Sequence, residues 1–311
     1  MFRSLRYRYD NEHIVLVMTI LLVLAVIILT STVTFCVSGI FILLMFALSA
    51  MMINSHHRAL MRSALPINAH QESDLADVVN ECTLKLQPGE VDVFLVKKDL
   101  LNAYTFGIGS PKVLVLYYPL LEVMSAGELK FIIGHEMGHV ALGHTWLNTI
   151  IGGLAGIPAP FGAAVLLYTS FKWWSRMCEF SADRAGLLAC GDLNLAISAL
   201  VMLVAPEARS QVEFERAFTL IDAEDDDVSN RLAETFQSHP LLIRRINQLR
   251  DYARTKEYQD LQAGVNRNVG GISRSSTQRE MKPDMTQSAP EMEEASELPP
   301  EERWPWLKRE D

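Results

Sequence analysis

From Ile14 to Ile53 the chain runs for 40 residues without one Asp, Glu, Lys or Arg. One bilayer crossing takes about 20 apolar residues, so this run is long enough for two. Thr30-Ser31-Thr32-Val33-Thr34 makes a short polar patch near its middle. The pattern predicts two transmembrane helices, at about 13–30 and 34–53, joined by a tight turn. A cleaved signal peptide is the competing reading, but its apolar core spans only about 7–15 residues. Arg3, Arg6 and Arg8 precede the first span, Arg58 and Arg62 follow the second, and the turn carries no base. The positive-inside rule then sets both ends in the cytoplasm, with everything after residue 55 on that side. Cys36, Cys82, Cys178 and Cys190 form no C-x-x-C pair, which suits a reducing compartment.

After this anchor the sequence divides into elements. The 28 basic and 37 acidic residues leave a formal charge of -9, which argues against a nucleic-acid partner. Leu75, Val78, Val79, Cys82 and Leu86 recur at helical spacing, and Pro88-Gly89 ends that helix. Residues 91–96 and 112–117 read as strands, with a turn-rich stretch at Asn102–Gly109 between them. Ser125 and Glu128 form an S-x-x-E capping box at the start of a long helix. Further helices are expected at 193–205, 211–221 and 240–255, with an acidic loop at Asp222–Asp227. Beyond about residue 262 the chain turns rich in Ser, Gln, Glu and Pro, and is read as a disordered acidic tail over 263–311.

The long helix carries His135-Glu136-Met137-Gly138-His139. Four residues advance a helix by about 400°, so the two imidazoles lie within about 40° of each other on one face. Two such imidazoles can share one zinc ion. Glu136 is placed to reach a water on that ion and act as general base. A catalytic zinc takes a third protein ligand. The metzincin continuation fails, because Leu142 and Thr145 stand where Gly and His are required. His144 lies about 140° further round a continuous helix, which directs it away from the ion and leaves it as a solvated or supporting residue. Glu179 is the better candidate, with Asp183 four residues on along the same face. Glu179 would complete a His2Glu set, and Asp183 would accept the free N–H of a zinc imidazole. On spacing alone, a surface helix with scattered charges fits these two acids as well.

His135-Glu-Met-Gly-His-Val-Ala-Leu-Gly-His144, followed by Glu179-Phe-Ser-Ala-Asp-Arg-Ala-Gly186, resembles the HtpX and CAAX prenyl protease family of integral-membrane zinc metallopeptidases. The resemblance extends to Asn102-Ala103, in the place of an Asn-Ala pair on the family's substrate-binding edge strand. It includes His239-Pro240-Leu-Leu-Ile-Arg244-Arg245-Ile246, matching a late His-Pro segment. It implies a mainly α (α+β) architecture: two N-terminal transmembrane helices and a zincin-like domain, 56–262, with a small sheet and the HExxH helix. It implies one Zn2+ per chain, bound by His135, His139 and Glu179, with Glu136 as catalytic base. It places His239 and Arg245 toward the active site, where they would stabilise an oxyanion, and Asn102 and Ala103 beside the substrate.

Trp146 to Phe171 is a second uncharged stretch, of 26 residues. One full crossing would put His139 and Glu179 on opposite sides of a membrane, so the segment must return. Gly152, Gly153, Gly156, Pro158, Pro160 and Gly162 break it into two short helices. A helical hairpin is expected, packed on the domain or dipping into the cytoplasmic leaflet, where HtpX-like proteins have two full spans. Lys172-Trp173-Trp174 suits an interfacial anchor. The expected activity is endoproteolysis of membrane or membrane-associated proteins, as in quality control, from a bacterial inner membrane. The alternative is a catalytically silent zinc-binding membrane adaptor; Glu136, which a purely structural site does not need, favours the enzyme.

Overall fold

The computed structural model describes residues 4–33, 64–67, 74–154, 162–204 and 240–267, with isolated positions between 44 and 59. A 3-10 turn at Ser4–Tyr7 leads into helix α1, Glu12–Val33. Strand β1 is Leu65–Ile67 and helix α2 is Asp74–Leu86. Strands β2 (Val91–Val96), β3 (Ala103–Phe106) and β4 (Lys112–Tyr117) follow, then the short helix α3, Pro119–Val123. Helices α4 (Ala126–Ala141), α5 (His144–Leu154), α6 (Gly162–Cys190), α7 (Leu193–Val204) and α8 (Pro240–Ala253) complete the named elements. A last helix, α9, covers 256–267.

The four strands lie in the order β1-β2-β4-β3. β2 and β4 run parallel in register Val91↔Lys112, while β1 and β3 are antiparallel edge strands. β4 reads as an unbroken apolar run because both its faces are covered. Leu114 and Leu116 face the main core, with Leu75, Val79, Phe131, Ile133 and Leu200. Val113, Val115 and Tyr117 face a smaller cluster with Val96 and Phe106. Asn102–Gly109 is therefore more than a turn: it contains β3, paired Ala103↔Leu116 through Phe106↔Val113. β1 and β3 are only 3 and 4 residues long, too short to carry a period-2 signal of their own.

α4 begins where the sequence places it. The Ser125 hydroxyl accepts from the Glu128 amide, and Glu128 accepts from the Ser125 amide at 2.7 Å. Such a cap contributes about 1 kcal/mol and fixes the helix register. The helix ends at Gly143, whose φ of +79° is the left-handed turn that favours glycine. α5 then departs in a new direction.

α4 lies against α6 through a seam of small residues. A Cβ added at Gly138 would come within 2.5 Å of the Ala185 Cβ. One at Gly134 would overlap the Ala189 Cβ, and one at Gly186 would sit 2.8 Å from the Phe131 carbonyl oxygen. No side chain separates the two backbones at these points.

α1 packs one side on α6. Val15 is buried with Trp174, Met177, Cys178 and Phe180. Its other sides are apolar and open: Ile14, Val17, Met18, Leu21, Leu24, Ile28 and Leu29 are each about half exposed or more. Among the described residues, no helix is long and apolar enough to cross a membrane. The second expected span, 34–53, lies outside the described residues apart from a few helical positions, as do the expected helix at 211–221, the acidic loop and the tail after 267. α9 runs past the expected boundary at 262, because Leu261 and Val265 are buried against the domain. Trp173 is exposed, whereas Trp174 is buried, so only the former is free to meet an interface.

Gly138→Ala should lower the thermal midpoint of the purified protein, by overpacking worth about 1–3 kcal/mol. An unchanged midpoint would show that the α4–α6 seam is looser than described.

Candidate metal centre

α4 and α6 deliver the site. One helical turn stacks His135 over His139, and the glycine seam brings Glu179 of α6 opposite them. The His135 and His139 Nε2 atoms are 3.2 Å apart. Glu179 Oε2 lies 3.5 Å from His135 Nε2, and Glu179 Oε1 lies 3.5 Å from His139 Nε2. These three residues form one of two groups, among the described residues, whose donor atoms converge closely enough for an ion. The test of fit is the length of a tetrahedron's edge. Ligands about 2.0–2.1 Å from zinc stand about 3.3–3.4 Å from one another. The His135–His139 separation of 3.2 Å is close to one edge of that figure, and each Glu179 oxygen stands 3.5 Å from a different imidazole nitrogen, so the carboxylate faces both donors.

Electrostatics favour a cation at the same point. Burial works against charge on Glu179, but hydrogen bonds with both imidazoles and the Arg245 charge outweigh it, holding the carboxyl well below its usual range. Burial also opposes charge on His135. There the hydrogen bonds to Asp183 and Glu179 prevail, and its pKa is pushed up to about 10. The field that holds a proton on His135 equally draws a divalent ion, so proton and metal compete for one place.

Asp183 ties the centre together. Its Oδ1 lies 3.0 Å from His135 Nδ1, leaving Nε2 for an ion. Arg245 of α8 donates to the same carboxylate from Nε at 2.8 Å and from Nη2 at 2.6 Å. Burial opposes its charge at Asp183, but the Arg245 guanidinium and the His135 hydrogen bond keep the carboxylate ionised. Arg245 Nη1 also lies 3.4 Å from Glu179. The guanidinium expected to face an oxyanion is thus already engaged with two acids, though it still borders the cleft. His239 lies outside the described residues.

The cleft over the donors has a volume of about 330 Å3. Glu136, buried beside its two neighbouring histidines, lines it. So do Asn102, Ala103 and Thr105 on one wall, at the edge strand β3, and Leu203 of α7. The geometry brings His135, Glu136, His139, Glu179, Asp183, Arg245, Asn102 and Ala103 to one place.

Sequence reasoning assigned His144 no partner. It is 1% exposed, with Nδ1 3.0 Å from His139 Nδ1 and Nε2 3.0 Å from Glu12 Oε1. It is neither solvated nor in the donor triangle. The angular estimate assumed a continuous helix, and the chain turns at Gly143 instead. Glu12 stands just ahead of the uncharged run, and nothing local in the sequence marks it as part of the site.

Comparison with known proteins agrees with this geometry. The model of Peptidase family M48 matches residues 68–253. The chain is 29% identical over 217 residues to the plastoglobule-localized metallopeptidase 48, chloroplastic, of Arabidopsis thaliana, covering 65% of this chain and 63% of that protein. It is 28% identical over 179 residues to the probable CAAX prenyl protease 1 of Schizosaccharomyces pombe, covering 50% and 37%. A protease HtpX homolog of Streptococcus equi subsp. zooepidemicus is 29% identical over 158 residues, covering 49% and 50%. The matched region thus spans between about a third and two thirds of these relatives' lengths. No solved structure matches at the same stringency.

Zinc affinity should climb with pH. Below its raised pKa His135 must release a proton to bind metal, so over roughly pH 6 to 9 the logarithm of the affinity should gain about one unit per pH unit. Chelator competition at several pH values measures this slope, and a flat profile would contradict the proton–metal exchange.

Proposed function

The chain belongs to peptidase family M48, and from that membership we propose that it is a membrane-anchored, zinc-dependent endopeptidase acting on membrane or membrane-associated proteins. The observation that carries this reading is the convergence of His135 Nε2, His139 Nε2 and the Glu179 carboxylate on one point, with Glu136 in the same cleft.

His135, His139 and Glu179 would hold one Zn2+ per chain. When bound, the ion supplies a Lewis acid that polarises a peptide carbonyl and makes water acidic near neutral pH. Glu136 takes the proton from the attacking water and hands it to the leaving amine. Asp183 fixes the His135 ring through Nδ1, and Arg245 holds Asp183 and Glu179 in turn. Arg245, with His239 from the segment before α8, supplies positive charge near the developing oxyanion. The substrate backbone lies extended along β3, beside Asn102 and Ala103, by addition of a strand to an open edge. This edge accommodates any sequence that can extend, which suits an enzyme clearing varied proteins in quality control.

The anchor rests on α1. Its described part falls short of a full crossing, and the reading rests on the uncharged run that continues in the sequence to Ile53. Its open apolar sides need covering, and lipid covers them. Glu12 contacts Ser181, Val15 clusters with Trp174, Met177 and Cys178, and the Thr19 hydroxyl reaches the Ser170 carbonyl, so α1 and α6 run antiparallel. The first ten residues of α6, Gly162–Phe171, therefore accompany α1 for about 15 Å, half a bilayer. The hairpin of α5 and α6 then dips into the cytoplasmic leaflet of the cell membrane, with the catalytic cleft on the cytoplasmic side. Cysteine labelling across 150–170 tests this: access from the outer face would sink the half-depth placement.

A zinc-bound adaptor without catalysis is the second reading. Glu136→Gln separates the two. It should cut the hydrolysis of a casein-type substrate by about 100-fold or more while zinc content stays at one per chain. Undiminished cleavage would remove Glu136 from its role.

A further inference from the structure

The zinc ligand His139 has a second neighbour that the reaction scheme does not use. Its Nδ1 meets His144 Nδ1 at 3.0 Å, and His144 Nε2 meets Glu12 Oε1 at 3.0 Å. Glu12 is the first residue of the anchor helix α1, and its side chain is 1% exposed. Its carboxylate also accepts a short hydrogen bond from the Ser181 hydroxyl of α6, and Arg8 Nε lies 3.4 Å away. Neighbouring contacts fasten the same stretch. Tyr9 N donates to Ser181 Oγ at 2.8 Å, Arg8 donates to the Leu142 carbonyl, and Arg184 donates to the Arg8 carbonyl. An N-terminal segment remote in sequence is thus wired into the metal centre.

The protons in this chain have one consistent arrangement. With Nε2 committed to metal, neutral His139 carries its proton on Nδ1. Two nitrogens 3.0 Å apart share one proton, so His144 Nδ1 accepts. His144 then carries its own proton on Nε2 and donates it to the Glu12 carboxylate. A carboxylate at the far end sets the ring plane and tautomer of His144, and His144 sets those of His139.

We propose that Glu12, acting through His144, positions the zinc ligand His139, so that seating the anchor helix on the domain and shaping the metal centre are one event. The inference rests on the metal reading above. Asp183 serves His135 from within the catalytic domain, whereas Glu12 serves His139 from the anchor. A protein whose anchor is unseated loses the support of one of its two imidazole ligands and holds its metal loosely. Glu12, His144 and Cys178 also converge as a metal-donor group of their own. The hydrogen bonds, however, already use both His144 nitrogens, which takes the imidazole out of that group.

The test uses the full-length protein in detergent, with zinc affinity read by chelator competition and geometry read from the visible spectrum of the Co2+-substituted form. Glu12→Ala should weaken zinc binding about 10- to 100-fold and alter the Co2+ bands, a change that mere loosening of the fold does not produce in metal-saturated protein. The isosteric Glu12→Gln keeps an acceptor and should fall between Glu12→Ala and the parent, and it serves if Glu12→Ala does not fold. Val15→Ala thins the same helix interface without touching the chain and should leave the Co2+ bands unchanged. In a His144→Ala background, Glu12→Gln should have no further effect. Parent-like affinity and bands in Glu12→Gln, or additive effects of the two substitutions, would overturn the proposal. So would two zinc ions per chain with one lost in Cys178→Ser. Failure of the underlying metal reading would look different: the parent itself would bind no zinc, or Glu179→Gln would leave its affinity untouched.

Discussion

The close approach of α4 and α6 is the constraint on which the rest depends. Gly134 and Gly138 on one helix meet Ala182, Ala185, Gly186 and Ala189 on the other with no room for a further methyl group. Two helices separated by ordinary core side chains run about 8–10 Å apart. At that spacing a Glu side chain from one would not reach imidazoles on the other with both oxygens. The seam removes that distance, and Glu179 spans both histidines. The main core explains why the seam is stable: Phe131, Ile133, Leu187 and Leu188 surround it and hold both helices against the sheet.

Burial of so many charges at one point calls for complete pairing, since an unpaired buried charge costs several kcal/mol. The site meets this with a closed network. Glu179 faces both imidazoles and Arg245; Asp183 faces His135 and takes two bonds from Arg245. On the opposite side His144 and Glu12 close the His139 end. Each imidazole is thereby held by a different part of the chain: His135 by α6 and α8, His139 by α5 and the start of α1. The proposed metal centre is the point at which the N-terminal helix, the central pair and the last helices are joined.

Much of this was legible in the sequence, where the signal is local. The capping box at Ser125, the His135/His139 spacing and the apolar run of β4 are each written within a few neighbouring residues. The Glu179–Asp183 pair is also local, but its meaning was not. Spacing left a charged surface helix equally open, and the family resemblance carried the assignment. Edge strands β1 and β3 escaped because their identity comes from partners elsewhere, Leu95 for Leu65 and Leu116 for Ala103. The spacing sets His144 apart from the other two histidines on a continuous helix, but Gly143 breaks that helix, and the buried contacts of His144 to His139 and Glu12 follow from the turn. Arg245 was expected to face the active site, and it borders the cleft. Its fork also grips Asp183, a contact between α8 and α6 across 62 residues of sequence that no local pattern reveals. Glu12 is the clearest case: beside an apolar run it reads as a boundary marker, and only the fold brings it to His144.

X-ray absorption spectroscopy of zinc in the purified protein tests the central claim most directly. A His2Glu site predicts a shell of nitrogen and oxygen at about 2.0–2.2 Å with the multiple-scattering signature of two imidazoles. A sulfur scatterer at about 2.3 Å, or a single imidazole, would contradict the assignment of His135, His139 and Glu179 as the ligands.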